Sequence, residues 1–230
     1  MKRLAWGAIA VLTVQLVAGA EGTSAPPVRV EPPRTAEGPA AVTSTVPAAA
    51  TATPAASAAD VATLLSSGRQ FLNDAKWTEA AALFEKVRSL DPTNQEAAFG
   101  LSVTYIETGR LAEAFPVLEK LSKDAPDNPM VKNNLAWVYV KSKDPALRNP
   151  EKAVVLARDA VLEVPADYSV WNTLAEAYYA CGKYDRAVRA AESALRLALL
   201  AGVTNATPCR ELVLRCKKAA GMPPVAEQEE

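Results

Sequence analysis

Histidine is absent from this chain, which removes imidazole general acid/base catalysis and every histidine-ligated metal site. Cysteine is scarce, three residues in all, and Cys181, Cys209 and Cys216 contain no Cys-x-x-Cys pair, so thiol oxidoreductase chemistry is not indicated. A surplus of basic residues is missing too: 25 Lys and Arg stand against 26 Asp and Glu, which gives no general electrostatic reason to bind nucleic acid. No nucleophile paired with a base, metal cluster or phosphate loop is recognisable. The chain is therefore read as a non-enzyme that needs no cofactor and no metal.

What the ends of the chain contain is specific. Lys2 and Arg3 supply a positive start, Leu4 to Val17 is an uncharged apolar run, and Ala18-Gly19-Ala20 closes it with small residues before Glu21. Residues 1–20 read as an export signal cleaved after Ala20, which places the mature chain in the periplasm or outside the cell. The alternative is an uncleaved membrane anchor, although the run falls short of the roughly 20 residues that span a bilayer. Residues 21–59 are rich in Ala, Thr, Pro and Ser with hardly a bulky apolar side chain. Such a segment cannot bury enough surface to offset its ordering entropy, so it reads as a disordered linker; a glycosylated stalk has a similar composition. Residues 222–230 read as a disordered acidic tail.

Between these ends a pattern of small and bulky residues recurs. Gly68, Ser102 and Ala136 stand 34 positions apart, and Ala175 follows after an insertion of five. Phe71, Tyr105, Tyr139 and Tyr178 keep the same step, as do Ala80, Ala114, Ala153 and Ala187, and then Phe84, Leu118, Ala157 and Ala191. Pro92, Pro126 and Pro165 close three of the four units. A period of this length means stacked supersecondary units, none of which buries its apolar face alone. In the last unit Trp171, Leu174, Ala175 and Tyr178 recur at helical spacing, Gly182 interrupts, and Ala187, Ala191 and Ala194 mark a second stripe.

On these residues the chain resembles the tetratricopeptide repeat family, most clearly over Trp171 to Leu195, with four units in register from about Val61 to Ala201. The resemblance implies an all-α fold, a right-handed superhelical solenoid of antiparallel helix pairs: about four units plus a C-terminal capping helix, over residues 60–221. The extra residues between Tyr139 and Ala153 form a loop at one rim, after which Asn149-Pro150 suits a helix start. Thr207-Pro208 opens the capping helix, Gly221 ends it, and Cys209, Leu212, Val213 and Cys216 form its apolar stripe. Cys209 and Cys216 are two turns apart, about 10 Å, and cannot pair. A capping helix parallel to the preceding first helix brings Cys181 towards Cys216, the predicted disulfide; three buried free thiols are the alternative.

The resemblance also places function on the inner surface of the array, formed by the first helix of each unit. There Phe99, Val103, Ile106, Trp137 and Val140 are apolar beyond the packing stripe, and Asn133, Asn172, Glu176 and Tyr179 flank them with hydrogen-bonding groups. These nine residues are the expected peptide-binding groove; otherwise they pack between neighbouring first helices. A carboxylate clamp of the kind some family members use would fall on Phe99, Val103, Asn134, Ser169 and Thr173, where only Asn134 agrees, so that ligand is not expected. The function expected is an interaction scaffold for a protein or peptide partner. Nucleic acid is not a partner, a membrane is met only through an unprocessed N-terminus, and self-association into an oligomer is the alternative.

Overall fold

The computed structural model describes residues 58–222, and the expected export signal, the linker up to residue 57 and the tail beyond Met222 lie outside the described residues. Nine α-helices and no strand occupy the described residues: α1 (Ala58–Asn73), α2 (Trp77–Leu90), α3 (Gln95–Glu107), α4 (Leu111–Asp124), α5 (Pro129–Lys141), α6 (Pro150–Glu163), α7 (Tyr168–Ala180), α8 (Tyr184–Leu200) and α9 (Thr207–Ala219). The helical array starts at Ala58, two residues before the expected boundary. Successive helices pack on one another, giving four pairs and a terminal helix.

The repeated small residues explain why the pairs close. Ala80, Ala114, Ala153 and Ala187 are all fully buried, as are Ser102, Ala136 and Ala175 opposite them. In the first pair Gly68 meets Phe84; the same two repeat positions hold Ser102 and Leu118, Ala136 and Ala157, and Ala175 and Ala191 in the later units. A Cβ added at Gly68 would lie 2.8 Å from the Phe84 ring, and one at Gly100 would strike the same ring from the next unit. Phe84 is thus the largest side chain in its row because two glycines make room for it, as close packing requires.

Turns repeat as faithfully as the core. Gly109 and Gly182 occupy the same place in their units with φ of 77° and 71°, and Ala75 takes this left-handed conformation in the first unit at φ 56°. In these three turns the amide of the following residue (Lys76, Arg110 or Lys183) donates to the carbonyl of Phe71, Tyr105 or Tyr178, which satisfies a helix-end acceptor. The third unit has the insertion instead, yet the amide of Asn149 donates to the matching carbonyl, that of Tyr139, at 3.0 Å. The extra residues form an ordered bulge inside an unchanged closure. Asp144 Oδ1 accepts from the Ala146 amide, and Arg148 Nη1 donates to the Val140 carbonyl at 2.7 Å. Asn94, Asn128 and Asp167 cap the first helices α3, α5 and α7, and Asn149 caps α6 through the Lys152 amide, as its sequence implied.

The order of contacts gives the array its bend. The first helices touch one another in sequence, α1 with α3, α3 with α5, α5 with α7 and α7 with α9, whereas α2, α4, α6 and α8 do not meet. Closer approach on one side places the first helices on the inner face. On α9, Cys209, Leu212, Val213 and Cys216 are all buried, so the terminal helix covers the end of the last pair as its stripe required. One correction concerns sulfur: Cys181, Cys209 and Cys216 are free thiols, and the Cys181–Cys216 bridge is not formed. Cys181 is the C-cap residue of α7 and is half-buried, whereas Cys216 is fully enclosed in the core, where burial pushes its thiol up to about 11.

Substituting Gly100→Ala is expected to lower unfolding free energy by about 1–2 kcal/mol. Overpacking against the enclosed Phe84 ring outweighs the gain of up to roughly 1 kcal/mol in helix propensity. A urea titration of the purified chain measures it; a midpoint equal to or above wild type would show that the ring can move aside.

Candidate interaction surface

The inner face carries its groups because every first helix contributes the same positions. Of the nine residues expected there, the structure buries five: Val103, Ile106, Asn133, Val140 and Glu176. Val103 joins the cluster around Phe84 and Leu101, and Ile106 and Val140 join the larger cluster of the later units. These five are corrected from ligand contacts to packing between adjacent first helices, because α3, α5 and α7 approach closely enough to enclose side chains between them. Asn133 Nδ2 donates to Asn134 Oδ1 at 3.4 Å inside this layer. Phe99, Trp137, Asn172 and Tyr179 remain partly exposed and line the accessible strip.

At the α5–α7–α9 end the strip becomes ionic. Glu176 of α7, with its side chain 4% exposed, receives Lys141 Nζ of α5 at 2.8 Å and Arg215 Nη2 of α9 at 2.6 Å on the same oxygen, Oε1. Each cation also lies over an aromatic ring: Lys141 sits 4.9 Å from the centroid of Trp137 and Arg215 4.8 Å from that of Tyr179. Tyr184 abuts Tyr179 edge-on at 5.4 Å. Burial alone would weaken the Arg215 charge, but its bond and attraction to Glu176 outweigh that and hold the guanidinium above its usual range. One carboxylate thus ties three successive first-position helices together. At the other end Arg69 of α1 bonds Glu96 of α3 at 2.6 Å.

Two stretches, residues 72–138 and 171–202, match the tetratricopeptide repeat family, and they fall on the pairs described above. The matched helix pairs are tetratricopeptide repeats. Among solved structures the chain is similar to a thermophilic tetratricopeptide-repeat protein of Thermus thermophilus, with TM-score 0.57 and 21% identity over 70% of this chain and 83% of that one. It is also similar to a MamA D159K mutant, with TM-score 0.52 and 22% identity over 70% of this chain and 88% of that one. At such identities the likeness is one of fold. Among curated proteins it is 33% identical over 121 residues to the RNA polymerase-associated protein CTR9 of Saccharomyces cerevisiae; the match covers 52% of this chain but 11% of CTR9.

Within this tetratricopeptide-repeat array four of the five positions of a carboxylate clamp are closed. Val103, Asn134, Ser169 and Thr173 are all buried, and the Thr173 hydroxyl donates to the carbonyl of Ser169 at 3.1 Å. Lys141 and Arg215 were missed from sequence, since the residues that meet Glu176 belong to two other repeats. The available signal was local: Trp137 and Lys141 stand one helical turn apart, as a ring and its cation must. Glu107, at the end of α3, was also missed; burial pushes its carboxyl up to about 7. Among the described residues no group of three or more His, Cys, Asp or Glu is placed to hold a metal ion.

Replacing Glu176 by Gln is expected to destabilise the array by about 3 kcal/mol, the lower end for breaking a buried pair, because both cations keep contact with water. Thermal unfolding followed by circular dichroism reads the change, and an unshifted transition would mean that the three helices do not need the bridge. Glu107 gives a pH signature of defined sign. Its folded carboxyl titrates above the unfolded one, so the folded state holds the extra proton and its advantage is complete below about pH 4.5, then lost as pH rises through about 7. Glu107→Gln should therefore stabilise the protein at pH 8 by about 1–2 kcal/mol after allowance for solvent screening, and change little at pH 4. Equal stability gains at both pH values would reject this assignment.

Proposed function

We propose that this chain is a non-enzymatic adaptor, exported from the cytoplasm, and that it docks a segment of a protein partner along the inner face from Phe99 through Trp137 and Asn172 to Tyr179. The tetratricopeptide-repeat fold supports a protein–protein interaction scaffold, and proteins with it are generally non-enzymatic adaptors. The observation that carries the reading is this strip itself. Three aromatic side chains and an amide stay partly exposed on α3, α5 and α7, while the groups between them are enclosed. Rings supply contact area at low conformational cost and the amide supplies hydrogen bonds to a peptide backbone. The N-terminal residues support export through their positive start, apolar run and small-residue end, and an exported adaptor would work in the envelope or beyond it.

Affinity capture from envelope and secreted fractions of the native host tests the reading. Wild-type chain, recovered with Glu21 as its first residue, should enrich a partner that the Phe99→Ala, Trp137→Ala double variant does not, with both variants melting cooperatively. Equal enrichment would remove the strip from the interface. Light scattering on the same samples discriminates the self-associating reading: a stable oligomer dispersed by the double variant would assign the strip to contacts between copies.

A further inference from the structure

The inner face is asymmetric in charge in a way that constrains what it takes. At the α5–α7–α9 end the carboxylate of Glu176 is 4% exposed, while the two cations lying on it, Lys141 and Arg215, keep 25% and 39% of their side chains in solvent. An incoming group therefore meets the cations and not the carboxylate beneath them. The rings of Trp137 and Tyr179 flank them from the same two helices, each under its own cation. One repeat back Glu107 lies at the end of α3, and burial holds its carboxyl near neutrality, at about 7. That carboxyl is thus only partly charged around neutral pH.

Geometry adds a reason why this arrangement is ready for a ligand. Glu176 fixes the positions of Lys141 and Arg215 from below, so two long side chains that otherwise lose rotamer freedom on binding are already ordered. Cations held in a half-buried setting over aromatic faces bind a carboxylate more strongly than solvated surface lysines do. Arg215 comes from the capping helix, so this seat exists only where the terminal helix closes the array.

We propose that the α5–α7–α9 end is a preorganised seat for acidic side chains, and that the partner segment docked on the inner face carries Asp or Glu residues that reach Lys141 and Arg215. This rests on the reading of the first-helix face as a docking surface. Glu176 acts here as a positioning residue: it makes no contact with the ligand and holds the two cations that do.

Selection of a random-peptide library displayed on phage against the full chain tests the proposal. Selected peptides should be enriched in Asp and Glu, bind more weakly as salt is raised, and lose about tenfold in affinity when their acidic pair is changed to amides. Arg215→Gln should cause a loss of similar size with cooperative melting retained, and Arg215→Lys should recover most of it. Binders without acidic residues, or binders indifferent to Arg215→Gln, would overturn the acidic seat and leave the docking surface standing. Failure to select any binder would overturn both. Tighter binding by a chain carrying Glu227→Gln, Glu229→Gln and Glu230→Gln would overturn an outside partner by assigning the seat to the chain's own acidic residues.

Discussion

Each helix pair in this array closes on small, buried side chains: alanine at the repeated position of every second helix, and glycine, serine or alanine on the first. In the first pair Gly68 leaves room for the Phe84 ring, which a Cβ there would strike. Dispersion contacts fade within an ångström of separation, so close approach of the helices is what they reward. Once pairs close, their remaining apolar stripes have no cover except the next pair, and stacking follows. The terminal helix has the same role, since α9 packs on α8 and α7 and covers the last described pair.

From that constraint comes the inner face. First helices pack on one another while second helices stay apart, and the close side encloses much of what a flat array would leave in water. Residues that look like ligand contacts on a single helix become mortar between helices. The same enclosure buries Glu176 and obliges it to take cations from both sides, one from the preceding repeat and one from the capping helix. The groups that hold three helices in register therefore also give that end of the face its sign.

The fold was legible because the units repeat the same local choices: alanine where the pair crosses in all four, a left-handed turn residue in the first, second and fourth, and a capped first helix in the second to fourth. Even the insertion was legible as a loop, though not that Asn149 would close on the Tyr139 carbonyl as the shorter turns do. The proposed docking face was legible only in part. Phe99 and Trp137 were singled out because a helix too apolar for its packing stripe implies a second contact, and Asn172 and Tyr179 as hydrogen-bonding groups beside them; all four stay partly exposed. Val103, Ile106 and Val140, chosen as excess apolar residues, and Asn133 and Glu176, chosen as flanking polar groups, are internal. Periodicity reports which way a residue faces on its own helix; it does not report how near the next helix comes.

That division describes the whole protein. The amino-acid sequence alone determined the repeat, the helices, their caps and turns, and the order in which pairs must stack, because those depend on residues within one period. Tertiary structure decided which polar groups would be enclosed, that Lys141, Glu176 and Arg215 would share one oxygen, and that the cysteines would stay apart, because those depend on the separation and tilt of helices drawn from different repeats. Apolar spacing encodes direction, and only packing converts direction into distance.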